Sequence, residues 1–268
     1  MGTPNTSEEK MIYKANLHRV GAVVPESITL LEEYNDVQDW SKVKEAAKKG
    51  NLLGKASYYR IQAVLGMFKQ RFVDEHKPLP TMKSIAKFIT SSVSDSAKTQ
   101  IMVPYFFSAD ALGQKIFLEL VKSRYSSGTQ PRLSADEVET FIINEQKEHP
   151  ELERWSDYLK KRWSSGFLSV LRDFGFMKAA PSEALVKPSL RVETFGFFLF
   201  GLLDAGKTIT EIQSDILWDY YLLSDREKED LFFECQSRGW IFYAKAADIV
   251  ELKPRYPSLE EWLDASLG

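Results

Sequence analysis

Lys160, Lys161 and Arg162 are followed at once by Ser164 and Ser165, which crowds cations and hydroxyls onto one short stretch of chain. Side chains of these types neutralise phosphates and donate to backbone or base-edge oxygens, the chemistry of a nucleic-acid contact. Lys178 and Lys187 lie just downstream. Residues 154–191 hold Arg154, Lys160, Lys161, Arg162, Arg172, Lys178, Lys187 and Arg191 against Asp157, Asp173 and Glu183, a net charge of +5. A second window, 42–71, carries Lys42, Lys44, Lys48, Lys49, Lys55, Arg60, Lys69 and Arg71 against Glu45 alone, net +7. The whole chain is at −3, so these windows stand out against an acidic remainder. Basic runs are commonly solvated faces, so each window counts as a binding surface only where a fold presents it.

Other chemistries find no support in the residue pattern. His18, His76 and His149 are scattered, without the ligand spacing of a zinc or iron site. The chain lacks the glycine-rich phosphate loop, the dinucleotide fingerprint and the nucleophile elbow. No catalytic residue, metal, cofactor or small-molecule substrate is therefore predicted. Asp215 and Asp219, one helical turn apart, can in principle bridge a cation, but a solvated acidic face is the commoner meaning. The single cysteine, Cys235, sits between Phe233 and Trp240, which predicts burial and excludes an internal disulfide framework. The longest apolar run, 195–203, is too short to span a bilayer, which takes about 20 residues. The first ten residues are polar, with Glu8 and Glu9, and lack the apolar core of a secretory signal. A cytoplasmic protein with no membrane partner is expected.

The elements that position these residues are helices. With 268 residues, two or three compact units are expected, and 44% hydrophobic with 27% charged content is that of a folded chain. Residues 55–73 place Ile61, Leu65, Phe68 and Phe72 on one apolar stripe, with Lys55, Arg60, Lys69 and Arg71 expected on the exterior. Further helices are predicted around Ile28 and Leu31, Trp40 and Val43, and Ile85 and Ile89. Pro104 is expected to kink or end the apolar element 101–107. Residues 1–108 thus read as a helical bundle.

Later helices announce their starts by capping boxes, Ser134 with Glu137, Thr208 with Glu211, Ser224 with Glu227 and Ser258 with Glu261. Helices are predicted over 109–125, 134–149 and 151–173. The third carries Trp155, Leu159, Trp163, Phe167 and Leu171 spaced by four, which assigns Trp163 to the core. Gly175 closes it, and a turn at Ala179-Ala-Pro-Ser leads into a hairpin through Leu185 and Val186. Three helices and a hairpin make 109–191 a winged helix-turn-helix unit. Its recognition helix, 154–173, presents Lys160, Lys161, Arg162, Ser164 and Ser165, while Lys178 and Lys187 sit on the wing.

A weak internal echo extends this plan. Arg172-Asp-Phe-Gly-Phe before Leu185-Val-Lys-Pro resembles Ser237-Arg-Gly-Trp-Ile before Glu251-Leu-Lys-Pro. Helices over 192–205, 208–223 and 224–238 precede the second copy, making 192–268 a second winged-helix-like unit. Its third helix is acidic, with Asp225, Glu227, Glu229, Asp230 and Glu234 against Arg226, Lys228 and Arg238. This unit is expected to contact protein or to be structural, with Tyr220, Tyr221, Trp240 and Tyr243 mostly in the core. A short terminal helix, 258–267, is anchored by Trp262.

Asp-Trp-Ser-Lys-Val-Lys at 39–44, Asn-Leu-Leu-Gly-Lys-Ala-Ser at 51–57, the stretch 155–178 and Leu-Phe-Phe-Glu-Cys at 231–235 with Gly239-Trp240 together resemble the BrxA family of bacteriophage exclusion (BREX) defence systems. The resemblance runs from about Tyr13 to the end. It implies a mainly α protein, with an N-terminal NusB-like helical bundle followed by one or two winged helix-turn-helix units with small β-hairpin wings. It further implies a non-catalytic component that binds duplex DNA with little sequence specificity and works beside other BREX subunits. The alternative within the same resemblance is an interaction scaffold, or a NusB-like module for protein or RNA. Gly166 and Phe167 stand where polar residues are expected on a groove-facing helix, which argues against base reading.

Overall fold

A computed structural model of the chain describes residues 12–15, 17, 20–55, 57–126, 131–246 and 249–268. His18 lies outside the described residues. The chain is mainly helical. Its first part consists of α1 (Val24–Val37), α2 (Trp40–Lys49), α3 (Tyr58–Phe68), α4 (Met82–Thr90), α5 (Asp95–Gln100) and α6 (Val103–Ala109). Asp39 starts α2 by accepting from the Ser41 and Lys42 N–H groups, and Ser94 starts α5 in the same way through Ala97. α1 packs against both α2 and α4. Pro104 does not break its element but opens α6, in the first turn, where its missing N–H is not needed.

Ile61, Leu65, Phe68 and Phe72 form the buried stripe that their spacing predicts. Arg71, however, is not on the exterior. After Phe68 the helix widens into a π-turn, Lys69–Val73, and this change of register turns Arg71 inward until 2% of it is exposed. Its guanidinium donates to the carbonyls of Ala22 at 2.5 Å and Gly21 at 3.1 Å and lies 4.8 Å from the centre of the Phe106 ring. Burial pushes the Arg71 pKa down to about 10, against the attraction of Asp110, so the side chain stays charged at neutral pH.

The middle of the chain is α7 (Ala111–Ile116), a π-turn over Phe117–Lys122, α8 (Ser123–Ser126), α9 (Ala135–Glu145) and α10 (Asp157–Asp173). The helix expected over 151–173 is split: a 3-10 turn, Pro150–Arg154, ends at an extended Trp155, and α10 restarts with Ser156 accepting from the Leu159 N–H. α10 closes where Gly175 takes φ +80°, with the Gly175 and Phe176 N–H groups donating to Arg172 and Leu171. Three short extended segments then lie side by side. Met177 bridges Leu185 and Arg132 bridges Ala184, so the chain just before α9 pairs with the return strand of the hairpin after α10.

The last part holds α11 (Val192–Asp204), α12 (Ile209–Gln213), α13 (Asp225–Ser237), the antiparallel pair β1 (Ile241–Ala246) and β2 (Ile249–Pro254), and α14 (Leu259–Ser266). Capping boxes close fully at Ser134, Thr208 and Ser224, whereas Ser258 supplies the forward half by accepting from the Glu261 N–H. The helix expected over 208–223 is interrupted at Asp215, which caps a 3-10 turn, Ile216–Tyr221. Asp215 and Asp219 are not a paired acidic face. Asp215 pairs with Lys207, and Asp219 with Lys122 at 2.7 Å. Tyr220, Tyr221, Trp240, Tyr243 and Cys235 are buried, and burial pushes the Cys235 thiol up.

One continuous cluster of buried side chains runs from the first helices to the last. α14 returns to α4, where Lys83 meets Glu260 at 2.8 Å and Lys87 meets Asp264 at 2.5 Å. The Phe88 ring stands edge-on to Phe197 with centres 5.2 Å apart. Gly201 lies so close to Pro80 that a Cβ would fall 2.5 Å from its ring. Among the described residues, no helix is long and apolar enough to cross a membrane.

Candidate nucleic-acid interface

Along α10, Tyr158, Lys161, Arg162, Ser165 and Ser169 recur at helical spacing on one exposed face. The opposite face is core: Trp163 stacks on Phe167 with ring centres 5.6 Å apart, and Trp155 lies beside Trp163. Among the described residues, Lys161 and Arg162 have no carboxylate partner within ion-pair distance, so their charge faces solvent uncompensated. Lys178 is also exposed, on the segment that leaves α10.

Lys160 and Ser164 do not belong to this face. Lys160 is 7% exposed, with its ammonium 3.4 Å from Asp157, and the wholly buried Ser164 hydroxyl donates to the Lys160 carbonyl at 2.9 Å. Both positions fall beside the drifting apolar stripe, where a long lysine stem and a small hydroxyl pack against the core. Lys187 is also diverted, because its ammonium is 2.5 Å from Glu227 and ties the hairpin to α13. Burial works against the ionised Glu227, but bonds from Lys187 and Ser224 hold its carboxyl below the usual range.

The N-terminal window divides in the same manner. Lys42 and Lys48 are exposed, without a carboxylate within ion-pair distance among the described residues, and Lys44 lies 5.9 Å from the Trp40 ring centre. Lys49 instead pairs with Glu45 at 2.5 Å, Lys55 with Glu26 at 2.8 Å and Lys69 with Asp74 at 2.6 Å. Arg60 lines a recess with Glu26 and Asp173, where the start of α3 meets the end of α10.

Sequence reasoning passed over three tyrosines. Tyr58, Tyr59 and Tyr158 are 63%, 67% and 75% exposed, each beside the basic positions. For two of them the signal was legible, since Tyr59 lies off the Ile61–Leu65–Phe68 stripe and Tyr158 off the Trp155–Leu159–Trp163 stripe, whereas Tyr58 falls on its stripe by spacing and is exposed because it begins α3.

A strap formed by the described residues between Ile12 and Val23 fixes the remaining side of α10. The Tyr13 ring stacks on His149 with centres 3.9 Å apart, and the Tyr13 N–H donates to Glu151 at 2.9 Å. Further along, the Leu17 carbonyl passes over Gly166, and the Gly21 and Ala22 carbonyls accept from Arg71. Gly166 therefore faces the strap and Phe167 the core.

A crystal structure described as an uncharacterized protein from Magnetospirillum magneticum aligns with this chain at TM-score 0.56 and 14% sequence identity, covering 80% of this chain and 100% of that one. At that identity the likeness is one of fold. No curated protein matches the sequence. The BrxA family model matches residues 11–199, more than half of the chain, and spans the strap, the N-terminal helices and all of α10. The chain belongs to the BrxA family.

Proposed function

We propose that this protein is a non-catalytic, duplex-DNA-binding component of BREX defence, acting beside other subunits of that system; family membership implies the BREX-associated role. In this reading residues 109–191 form a winged helix-turn-helix unit, and α10 enters the major groove with Tyr158, Lys161, Arg162, Ser165 and Ser169 toward the DNA. Lys178 lies on the wing. Lys42, Lys44 and Lys48 on α2, in the helical domain read as NusB-like, add a second phosphate contact.

The observation that carries this reading is the solvent face of α10, where cations, hydroxyls and a phenol share one surface with Lys161 and Arg162 unpaired. Short serines and flexible cations suit backbone contact better than base reading, which agrees with binding of low sequence specificity. Neither a cofactor nor a catalytic group is required.

The test is a polarisation titration of labelled duplex with the intact protein across a salt series. Replacing Lys161, Arg162 and Lys178 with Ala should weaken binding about a hundredfold and make the log affinity against log salt slope shallower by about 3. Unchanged affinity and slope would remove α10 from the interface.

A further inference from the structure

The second unit repeats the build of the first but inverts its surface. When Gly175 is aligned with Gly239, both at positive φ, Phe167 with Leu231, Leu168 with Phe232, Leu171 with Cys235 and Phe176 with Trp240 are buried in both, whereas the buried Trp163 and Val170 align with Glu227 and Glu234. The exposed positions change character. Lys161 aligns with Asp225, Ser165 with Glu229, Gly166 with Asp230 and Ser169 with Phe233, while Arg162 aligns with Arg226. On α13 this face thus carries acids and an aromatic ring; Asp225 pairs with Lys228 and Glu229 with Lys245, each at 2.7 Å, which leaves Asp230 as the acid of this face without a cation partner among the described residues.

Beside this face runs a groove of about 340 Å³ between α13 and the connecting segment 187–190. Its floor is apolar, made by Leu190, Leu223 and Leu231, and its rim carries Asp230 and Glu234. Lys187 already neutralises Glu227 inside the groove, and Glu234 shares its charge with Arg238 at 3.3 Å. Asp230 has no cation within ion-pair distance among the described residues. One position away from the groove, Phe233 is 44% exposed and is held in place by an edge contact with Tyr243, ring centres 5.1 Å apart. A large exposed ring fixed by its neighbour, beside a groove that leucines and acids line together, is the arrangement of a protein contact, not of a solvated helix.

We infer that α13 and this groove dock a basic segment of a partner protein, one that places an apolar side chain on the leucine floor and Lys or Arg against Asp230 and Glu234. Charge complementarity selects the occupant. The uncompensated acid asks for a cation, the floor asks for an aliphatic group, and the face of Phe233 accepts a guanidinium. A nucleic acid meets the wrong sign of charge.

The experiment titrates the full chain into a labelled peptide of alternating Arg and Leu, beside an Arg-Ser peptide and a Glu-Leu peptide of equal length. Selective binding of the Arg-Leu peptide is expected. Asp230→Lys with Glu234→Lys should weaken it about tenfold or more, as should Phe233→Ser alone. Asp136→Lys with Glu148→Lys, an equal change of charge on exposed acids of another part of the chain, should alter it less than about twofold. Thermal melting of each variant separates loss of docking from loss of fold, and Phe233→Leu provides a milder variant should Phe233→Ser unfold. No binding, equal binding of the Arg-Ser peptide, or equal losses from both charge pairs would overturn the inference. So would self-association of the wild type that the Asp230 and Glu234 changes abolish, which would make the occupant a second copy, or loss of duplex binding in those variants.

Discussion

The carbonyl oxygen of Leu17 lies 3.1 Å from the point where a Cβ on Gly166 would stand, so the strap approaches α10 at a residue with no side chain in the way. Gly66, by contrast, has open space around its missing Cβ in the interior of α3. Gly66→Ala should stabilise the protein by about 0.5–1 kcal/mol, the helix-propensity gain. Gly166→Val should destabilise it by about 1–3 kcal/mol, because the strap must be displaced. Denaturant unfolding of the two variants decides the point, and equal shifts would show that the strap does not bear on α10.

Asp110 caps α7 through the Gly113 N–H at 2.9 Å while 7% exposed, and burial raises its pKa from 3.8 to about 6, against the pull of that N–H and of Arg71. The folded state therefore holds the Asp110 proton more tightly than the unfolded chain. Between about pH 4 and 6 the native protein binds more protons than the unfolded one, so the Asp110 contribution to stability falls as pH rises through that window. It is flat above about pH 6, at a total loss of roughly 3 kcal/mol. Asp110→Asn keeps a cap acceptor and removes the titration. Unfolding free energies measured from pH 4 to 7 should show the wild type losing ground relative to the variant. A constant difference would mean that Asp110 titrates normally.

Lys160 and Lys161 are neighbours in sequence, but the first is buried and the second exposed. Lys160→Met preserves the buried stem and should leave duplex affinity within about twofold and stability within about 1.5 kcal/mol. Lys161→Ala with Arg162→Ala should leave the melting temperature nearly unchanged and weaken duplex binding by about 1 kcal/mol or more per lost contact. Polarisation titration and melting curves read both effects, and the reverse pattern would exchange the two faces of α10.

The glycines that end α10 and α13 are held at φ +80° and +75°. Alanine at either position adopts the left-handed region at a penalty of about 1–2 kcal/mol. Gly175→Ala and Gly239→Ala should each lower stability by that amount, and Gly239→Ala should spare duplex binding. Loss of duplex binding in folded Gly239→Ala would bring the second unit into the DNA interface.

Local signals in the sequence determined most of the helices, the capped starts and the two glycine stops, because caps and left-handed turns depend on residues a few positions apart. Ser134 with Glu137, Ser224 with Glu227, Gly175 and Gly239 all act over one turn of chain. The same holds for the split between the basic window 154–191 and the acidic helix near Asp230, and for the burial of Trp163 and Cys235. What only the tertiary structure decided is which polar residues face solvent. The π-turn after Phe68 rotates Arg71 inward to meet carbonyls about fifty residues earlier in the chain, and no local pattern marks such a partner. Lys160 and Ser164 lie on the margin of a stripe that periodicity places only to within a residue, and packing against the core settled their side. Lys187 faces Glu227 and Lys55 faces Glu26 because distant segments meet there, and a count of charge along the chain contains no such distance. Gly166 is explained by the carbonyl of Leu17, far away in sequence. Composition thus set the chemistry available to this protein, and long-range packing chose which part of it the surface can use.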